Sequence, residues 1–344
     1  MKPVNRFILT ALCLFILLIK EMPVSSVCAV DPQDPALKQQ DKTYKLSDLS
    51  WRDPVIFPDA GTKTYYLIGS SGKGVKIYSS KDLMNWQGPR MIYTIPPDLW
   101  GTIPVSGIWA PELHLYNGKY YLFLTFSTNQ KFPEQWRNWY PRVMRGSQIL
   151  VSDSITGPFT AFESHSTLPV DMITLDGTLW VEDSTPYMVF CNEWVQITNG
   201  TVNYSQLKGD LSETASEPKI LFRATQAPWS MMSPQYGCNV TDGPYLYKGK
   251  TGKLYMIWSS FGYPNYKYTT GIAISASGKL TGPWVQQAEP VFKDDGGHGM
   301  LFTTFEGKLM MVLHTPNDRN SRPCIFEMED TGETLKIVKK FTGS

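Results

Sequence analysis

The sequence predicts an all-β protein, a five-bladed β-propeller, and three observations carry that prediction. A tight turn recurs along the chain as Arg52-Asp53-Pro54, Trp109-Ala110-Pro111, Leu175-Asp176-Gly177, Thr241-Asp242-Gly243 and Gly297-His298-Gly299. The steps from Asp53 to Ala110, Asp176, Asp242 and His298 are 57, 66, 66 and 56 residues, which marks internal repetition in five units. Each turn is followed ten to twelve residues later by an apolar, aromatic or β-branched run: Tyr65-Tyr66-Leu67-Ile68, Tyr120-Tyr121-Leu122-Phe123, Tyr187-Met188-Val189-Phe190, Leu254-Tyr255-Met256-Ile257 and Leu309-Met310-Met311-Val312. Such runs read as buried strands. No long helix-period segment follows the N-terminal apolar run. A sandwich of many short strands is the alternative, and it does not predict a period of 57–66 residues with matching openings.

Taken in order, the chain begins with Lys2 and Arg6, the apolar run Phe7 to Ile19, and the small-residue stretch Val27-Cys28-Ala29. This is the three-part layout of a secretory signal, so residues 1–29 are read as a signal peptide, 30–44 as a linker and 45–344 as the propeller. The expected location is secreted or periplasmic. The apolar run is short for a bilayer; a retained anchor helix and acylation at Cys28 are the competing readings. Within the repeats, Asn117-Gly118-Lys119, Thr251-Gly252-Lys253 and Glu306-Gly307-Lys308 join first and second strands as hairpins. A third strand closes the second unit as Ile149 to Ser152 with the exit Gly157-Pro158-Phe159, and the fourth as Ile272 to Ser275 with Gly282-Pro283-Trp284. The first unit does the same between Val75 and Trp86.

Composition bounds the function. Aromatic content of 13% with 25 Pro and 27 Gly in 344 residues suits one large all-β domain. Cleaving residues 1–29 takes Lys2, Arg6, Lys20 and Glu21 from 32 basic and 31 acidic residues, leaving 29 against 30. A chain so balanced calls for no nucleic acid partner. Cys191, Cys238 and Cys324 remain, too few and too scattered for a disulfide framework or a zinc site. Sequons at Asn199, Asn203 and Asn239 matter only in a glycosylating pathway.

In a propeller the first strand of every blade lines the central channel, so equivalent residues face one another at one end. Asp53, Asp176 and Asp242 are therefore expected to meet. Like charges around a narrow channel destabilise it, which points to chemistry rather than packing. One isolated Asp before Gly or Pro is better read as a turn cap. Three among five equivalent positions, with Trp51, Trp109, Trp194, Trp229, Tyr236 and Phe261 nearby, reverse that preference. Glycoside hydrolysis needs a proton donor and a second carboxylate that activates water or attacks directly. A third carboxylate keeps the donor protonated by repulsion. Trp51 and Trp109, beside the openings, have rings that can stack on a sugar, and Phe261 is a further candidate. The stretch Thr128 to Arg145, with Trp136, Arg137, Trp139, Tyr140 and Arg142, is expected to build one wall of the pocket.

The Arg-Asp-Pro opening at 52–54, Trp109-Ala110-Pro111-Glu112 with its Asn-Gly-Lys-Tyr-Tyr hairpin, Leu175-Asp176-Gly177 and Asp242-Gly243-Pro244 together resemble glycoside hydrolase family 43 from about Tyr44 to the end. The resemblance implies an inverting hydrolase of arabinose, xylose or galactose residues in plant polysaccharide. By position it implies Asp53 as general base, Asp176 as the group that tunes and orients the acid, and Asp242 as general acid. At position 242 the family usually carries Glu. Asp is one methylene shorter and sets the carboxyl back by roughly 1–1.5 Å. Glu112 and Glu193 are the available substitutes, otherwise partners for sugar hydroxyls. The resemblance also implies a cation, calcium or sodium with waters, near His298, while catalysis itself requires no cofactor.

The leading expectation is a monomeric glycosidase that releases a terminal pentose, foremost α-L-arabinofuranose, with base and acid carboxyls about 6.5–9.5 Å apart. β-Xylosidase or galactan-directed activity stands beside it. A propeller that binds glycan without cleaving it is the rival from another class, prompted by Asp at the acid position. Fructan hydrolases carry Arg-Asp-Pro in the second blade after a motif that is absent here.

Overall fold

The computed structural model describes residues 42–343, which form five antiparallel sheets arranged as a β-propeller. The expected signal peptide lies outside the described residues. No helix among them is long and apolar enough to cross a membrane. Blade one holds β1 (Thr43–Lys45), β2 (Val55–Asp59), β3 (Thr64–Ser71), β4 (Gly74–Ser80) and β5 (Asn85–Thr94). Blade two holds β6 (Val105–Tyr116), β7 (Lys119–Lys131), β8 (Val143–Ser152) and β9 (Thr160–Ala161). Blade three holds β10 (Thr174–Glu182), β11 (Thr185–Asn192), β12 (Thr201–Gln206) and β13 (Lys219–Arg223). β14 (Asp242–Lys248), β15 (Leu254–Gly262), β16 (Lys267–Ser275) and β17 (Trp284–Gln286) make blade four. β18 (Gly297–Thr303), β19 (Leu309–Thr315), β20 (Arg322–Asp330) and β21 (Leu335–Lys340) make blade five.

Each sheet runs in chain order from the axis outward, except that β1 joins the outer edge of blade one beside β5. The propeller thus starts at Thr43, two residues before the expected boundary, and blade one has five strands where the other blades have four. The second strands are buried almost end to end, as Tyr121 to Thr128 in β7 and Leu254 to Ser260 in β15 illustrate. Covered on both faces by neighbouring blades, they read as continuous apolar runs rather than alternations. In the β6–β7 hairpin, Tyr116 pairs with Lys119 and leaves Asn117 and Gly118 as a two-residue loop with φ of 47° and 76°. Two positive φ values in a row define a type I′ turn, which matches the twist of the strands it joins.

Blades meet through apolar layers. Phe123 and Ile149 pack with Met188 and Phe190, Val189 and Phe222 with Met256 and Trp258, and Tyr255 and Ile257 with Met311 and Leu313. Burial of each such side chain contributes about 1.5–3 kcal/mol. The ring closes between blades five and one without a shared strand. There Phe302, Met310 and Val312 join the cluster of Tyr65 and Leu67, the Tyr65 ring stacks on Phe305 at 4.4 Å, and the Phe305 N–H donates to the Tyr65 hydroxyl at 3.0 Å.

The feature that builds the site is a register break near the start of the innermost strands, at Trp109/Glu112, Leu175/Thr178, Asp242/Tyr245 and Gly297/Met300. A residue with left-handed backbone sits at each: Ala110 (φ 41°), Asp176 (57°), Gly243 (49°) and His298 (49°), with Asp53 (49°) just ahead of β2. Bulges of this kind re-aim side chains and end regular pairing. The repeat therefore aligns Gly243, not Asp242, with Asp53 and Asp176. Any Cβ at 243 would lie 2.8 Å from the His298 ring, so the left-handed position in blade four must be glycine and its carboxylate comes from the residue before.

Candidate active site

The left-handed residues are held by side chains from the preceding blade. The Asp176 N–H donates to Thr125 Oγ1 at 2.9 Å, the His298 N–H to Ser259 Oγ at 2.8 Å and the Asp53 N–H to His314 Nδ1 at 3.2 Å. Thr125, Ser259 and His314 occupy one repeat position, each paired with the residue at the start of the register break in its own blade. In blade four the Gly243 N–H donates instead to Asp176 Oδ2 at 2.9 Å. These bonds bring the three aspartates to one end of the axis around His298, whose Nδ1 stands 3.4 Å from Asp53 Oδ1 and 3.7 Å from Asp176 Oδ2. Asp176 is buried, Asp242 only partly, and Asp53 keeps 22% of its side chain exposed.

Environment separates the three carboxyls. Burial works to raise Asp53, but nearby positive charge, His298 foremost and Arg52 with it, outweighs burial and holds the group below the usual carboxylate range. Burial pushes Asp176 up to about 6, with His298 opposing and Asp53 adding to the rise. Asp242 is pushed up to about 7 by burial and by the charge of Asp176, against the pull of His298 and the Tyr268 hydroxyl. Burial would lower His298, but Asp176, Asp53, Asp242 and Glu112 hold it above its ordinary value. His314, fully buried, is driven down to about 4 and stays neutral. One carboxylate is thus ionised beside another kept protonated near neutrality, the division that acid and base catalysis requires.

Around this centre Glu193, just before the short helix α1 (Trp194–Ile197), pairs with Arg145, whose guanidinium lies 3.8 Å over the ring of Trp109. Burial raises Glu193; Arg145 opposes the shift and Asp242 adds to it. Trp109 is 42% exposed. The segment between β7 and β8 leans on α1: Trp139 Nε1 donates to Val195 O at 2.8 Å. Trp139 and Tyr140 then meet Trp194 and Tyr236, with Tyr140 and Tyr236 4.7 Å apart, and Trp136 packs under Arg142 at 3.7 Å. The expected wall is an aromatic cluster drawn from three chain segments. Phe261 stacks on Tyr266 at 4.5 Å and leans on Tyr268 at 5.5 Å.

Two expected sugar contacts are corrected. Trp51 is buried in the core of blade one, where its ring covers Gly69 and Nε1 donates to Ile68 O at 3.2 Å. Glu112 is 4% exposed, and its carboxylate bonds His114 Nε2 at 2.9 Å inside the propeller. Trp229, from the same aromatic set, is also core. Conversely, the sequence does not point to His314 and Tyr268 as site residues, because they lie on second and third strands, away from the repeated openings, whereas Arg145 ends the stretch expected to form a wall. Cys191, Cys238 and Cys324 are buried and free.

Nε2 of His298 is buried and has no hydrogen-bond partner. Such a nitrogen fits a single protein ligand of a hydrated calcium or sodium ion. No group of three or more His, Cys, Asp or Glu among the described residues is placed to hold a metal.

A propeller that gathers ionised and protonated carboxyls at one end of its axis, beside an exposed tryptophan, has the site of a glycosidase. The family comparison is specific: the model of glycosyl hydrolases family 43 matches residues 46–332, and the chain belongs to that family. An endo-arabinase from Bacteroides thetaiotaomicron has a similar structure, with 37% identity, a TM-score of 0.73, and coverage of 87% of this chain and 98% of that one. An extracellular exo-α-(1→5)-L-arabinofuranosidase of Cellvibrio japonicus is 22% identical over 76% of this chain and 78% of its own. α-L-Arabinofuranosidase 43 of Humicola insolens is 22% identical over 60% of this chain, and the match spans 42% of that relative's length.

Proposed function

We propose that this protein hydrolyses arabinose-containing polysaccharide or oligosaccharide with inversion, releasing a terminal α-L-arabinofuranosyl residue. The observation that carries the reading is the opposed environment of Asp53 and Asp242, one carboxyl held low by the charge of His298 beside it and the other raised to about 7. Asp53 takes a proton from water as the water oxygen attacks the anomeric carbon. Asp242 gives its proton to the glycosidic oxygen, which leaves with the bonding pair. Asp176, buried beside His298, raises Asp242 by its charge and braces blade four through Gly243. Trp109 supplies an adjoining sugar contact, its ring backed by Arg145, which Glu193 holds in place.

Relatives termed exo-arabinofuranosidases support this substrate. Internal cutting of arabinan is the second reading, favoured by the 37%-identical endo-arabinase. The N-terminal pattern that reads as a secretory signal and relatives termed extracellular support action outside the cytoplasm. A calcium or sodium ion at His298 would add positive charge at the axis.

The test is hydrolysis of aryl glycosides and arabinan, arabinoxylan and galactan oligosaccharides by the mature chain, beside Asp53→Asn and Asp242→Asn. Release of arabinose alone, lost at least about a hundredfold in both variants, is the expected result. Sugar binding without release by the wild type would leave a glycan-binding propeller.

A further inference from the structure

An aspartate has only two side-chain torsions, so as a proton donor it works only if its carboxyl is aimed and held. Asp242 stands at the start of β14 with a register break immediately after it, and the strand itself does little to aim the group. The Tyr268 hydroxyl, reaching in from β16 two strands away, donates to Asp242 Oδ2 at 2.9 Å. Among the described residues no donor reaches Oδ1 of Asp242.

Tyr268 is itself held on every side. It is 3% exposed, stacks on His314 at 5.5 Å and 18°, and meets Phe261 at 5.5 Å. Its backbone N–H donates to Asp295 Oδ1 at 3.2 Å, and its carbonyl accepts from the Gly296 N–H at 2.8 Å. Its ring contacts the position of Gly297 so closely that a Cβ there would lie 2.6 Å from it. The ring that holds the acid thus leans on His314, the residue that holds the Asp53 turn.

We propose that Tyr268 is the positioning residue for proton donation by Asp242, occupying Oδ2 so that Oδ1 carries the proton toward the leaving oxygen. This rests on the reading of Asp242 as the acid. In the reactant the phenol donates to a carboxyl oxygen of a neutral acid. As the glycosidic C–O bond breaks and takes its electron pair to oxygen, the Oδ1 proton moves to that oxygen and Asp242 becomes a carboxylate. The same hydrogen bond is then charge-assisted and about twice as strong. An interaction stronger in the transition state than before it lowers the barrier without tightening ground-state binding. Tyr268 keeps its own proton, because burial and the surrounding aspartates drive its pKa far up.

The experiment compares wild type, Tyr268→Phe and Asp242→Ala on two substrates of one sugar: arabinotriose, whose leaving alcohol must be protonated, and dinitrophenyl α-L-arabinofuranoside, whose leaving group needs no proton. Expected for Tyr268→Phe is a fall in kcat of about 30- to 100-fold on arabinotriose with KM unchanged, and a loss on the dinitrophenyl substrate at least about tenfold smaller. Asp242→Ala should show the same contrast more strongly. If Asp242→Ala shows the contrast and Tyr268→Phe loses both activities equally, or neither, Tyr268 is structural and the inference falls while the acid assignment stands. If Asp242→Ala shows no contrast, the acid assignment falls and takes this inference with it. Melting temperatures within a few degrees of wild type separate either result from misfolding.

Discussion

The backbone N–H of Asp53 donates to Nδ1 of His314 at 3.2 Å, tying the left-handed turn of blade one to the second strand of blade five. Nδ1 must carry a lone pair to accept that bond. Nε2 then bears the proton and faces Asn317 Oδ1 at 3.2 Å. A buried neutral imidazole thus helps close the ring and fixes the tilt of the Asp53 carboxyl. Replacing His314 with Ala leaves a cavity and an unsatisfied buried N–H. The expected result is a loss of about 2–5 kcal/mol of stability together with a fall in kcat, checked by denaturant melting and steady-state kinetics.

The opposed carboxyl shifts predict a bell-shaped dependence of kcat/KM on pH. Activity should fall as pH rises through about 7, where Asp242 loses its proton. It should fall on the acid side only below the usual carboxylate range, because Asp53 is held low. A pH–rate profile of the wild type checks both limbs, and an alkaline limb lying below pH 5 would contradict the assignment.

The same groups set the dependence of stability on pH. Asp176 and Asp242 have folded-state values raised to about 6 and about 7, so their contribution is fully present below the unfolded value near 3.8 and is lost as pH rises through 6 to 7. Asp53, depressed, acts in the opposite sense and loses its contribution as pH falls through its folded-state value. The Asp176→Asn variant removes one of these two buried-charge penalties. It should gain about 1–3 kcal/mol relative to wild type at pH 8 and less at pH 5, read from melting at the two pH values.

Gly243→Ala is expected to be severe for its size. The position has φ 49°, and the added methyl would meet the His298 ring at 2.8 Å while the N–H must still reach Asp176. A stability loss of about 2 kcal/mol or more and a large fall in kcat should follow. Wild-type melting and turnover in this variant would show that the blade-four turn tolerates a side chain.

The two tryptophans first read as a pair should separate on mutation. Trp51→Ala should lose about 3–5 kcal/mol by emptying the core of blade one. Trp109→Ala should leave stability nearly unchanged and raise KM, because the ring is half exposed and packs under Arg145. Equal melting losses for both would contradict this division.

Much of this was legible in the chain because a propeller repeats. The period, the apolar second strands and the Asp-bearing openings all follow from local pattern, since every blade meets the same two neighbours and needs the same burial. Asp53, Asp176, Asp242 and His298 were found through that repetition. Trp51 was misplaced because a tryptophan beside an opening can turn inward as readily as toward the channel, and only the close approach of Gly69 settles which. His314 and Tyr268 carry no local signal. They enter the site from strands whose sequence reads as ordinary core.

The sequence by itself determined the five-blade architecture and the carboxylates on its axis, because strand period and turn chemistry are properties of a few neighbouring residues. Only the tertiary structure decided that Gly243 and not Asp242 holds the repeat position, which carboxyl is ionised and which protonated, and which side chains aim them. Those outcomes depend on burial and on charges from residues 26 to 261 positions away, brought within hydrogen-bond distance by closing the ring.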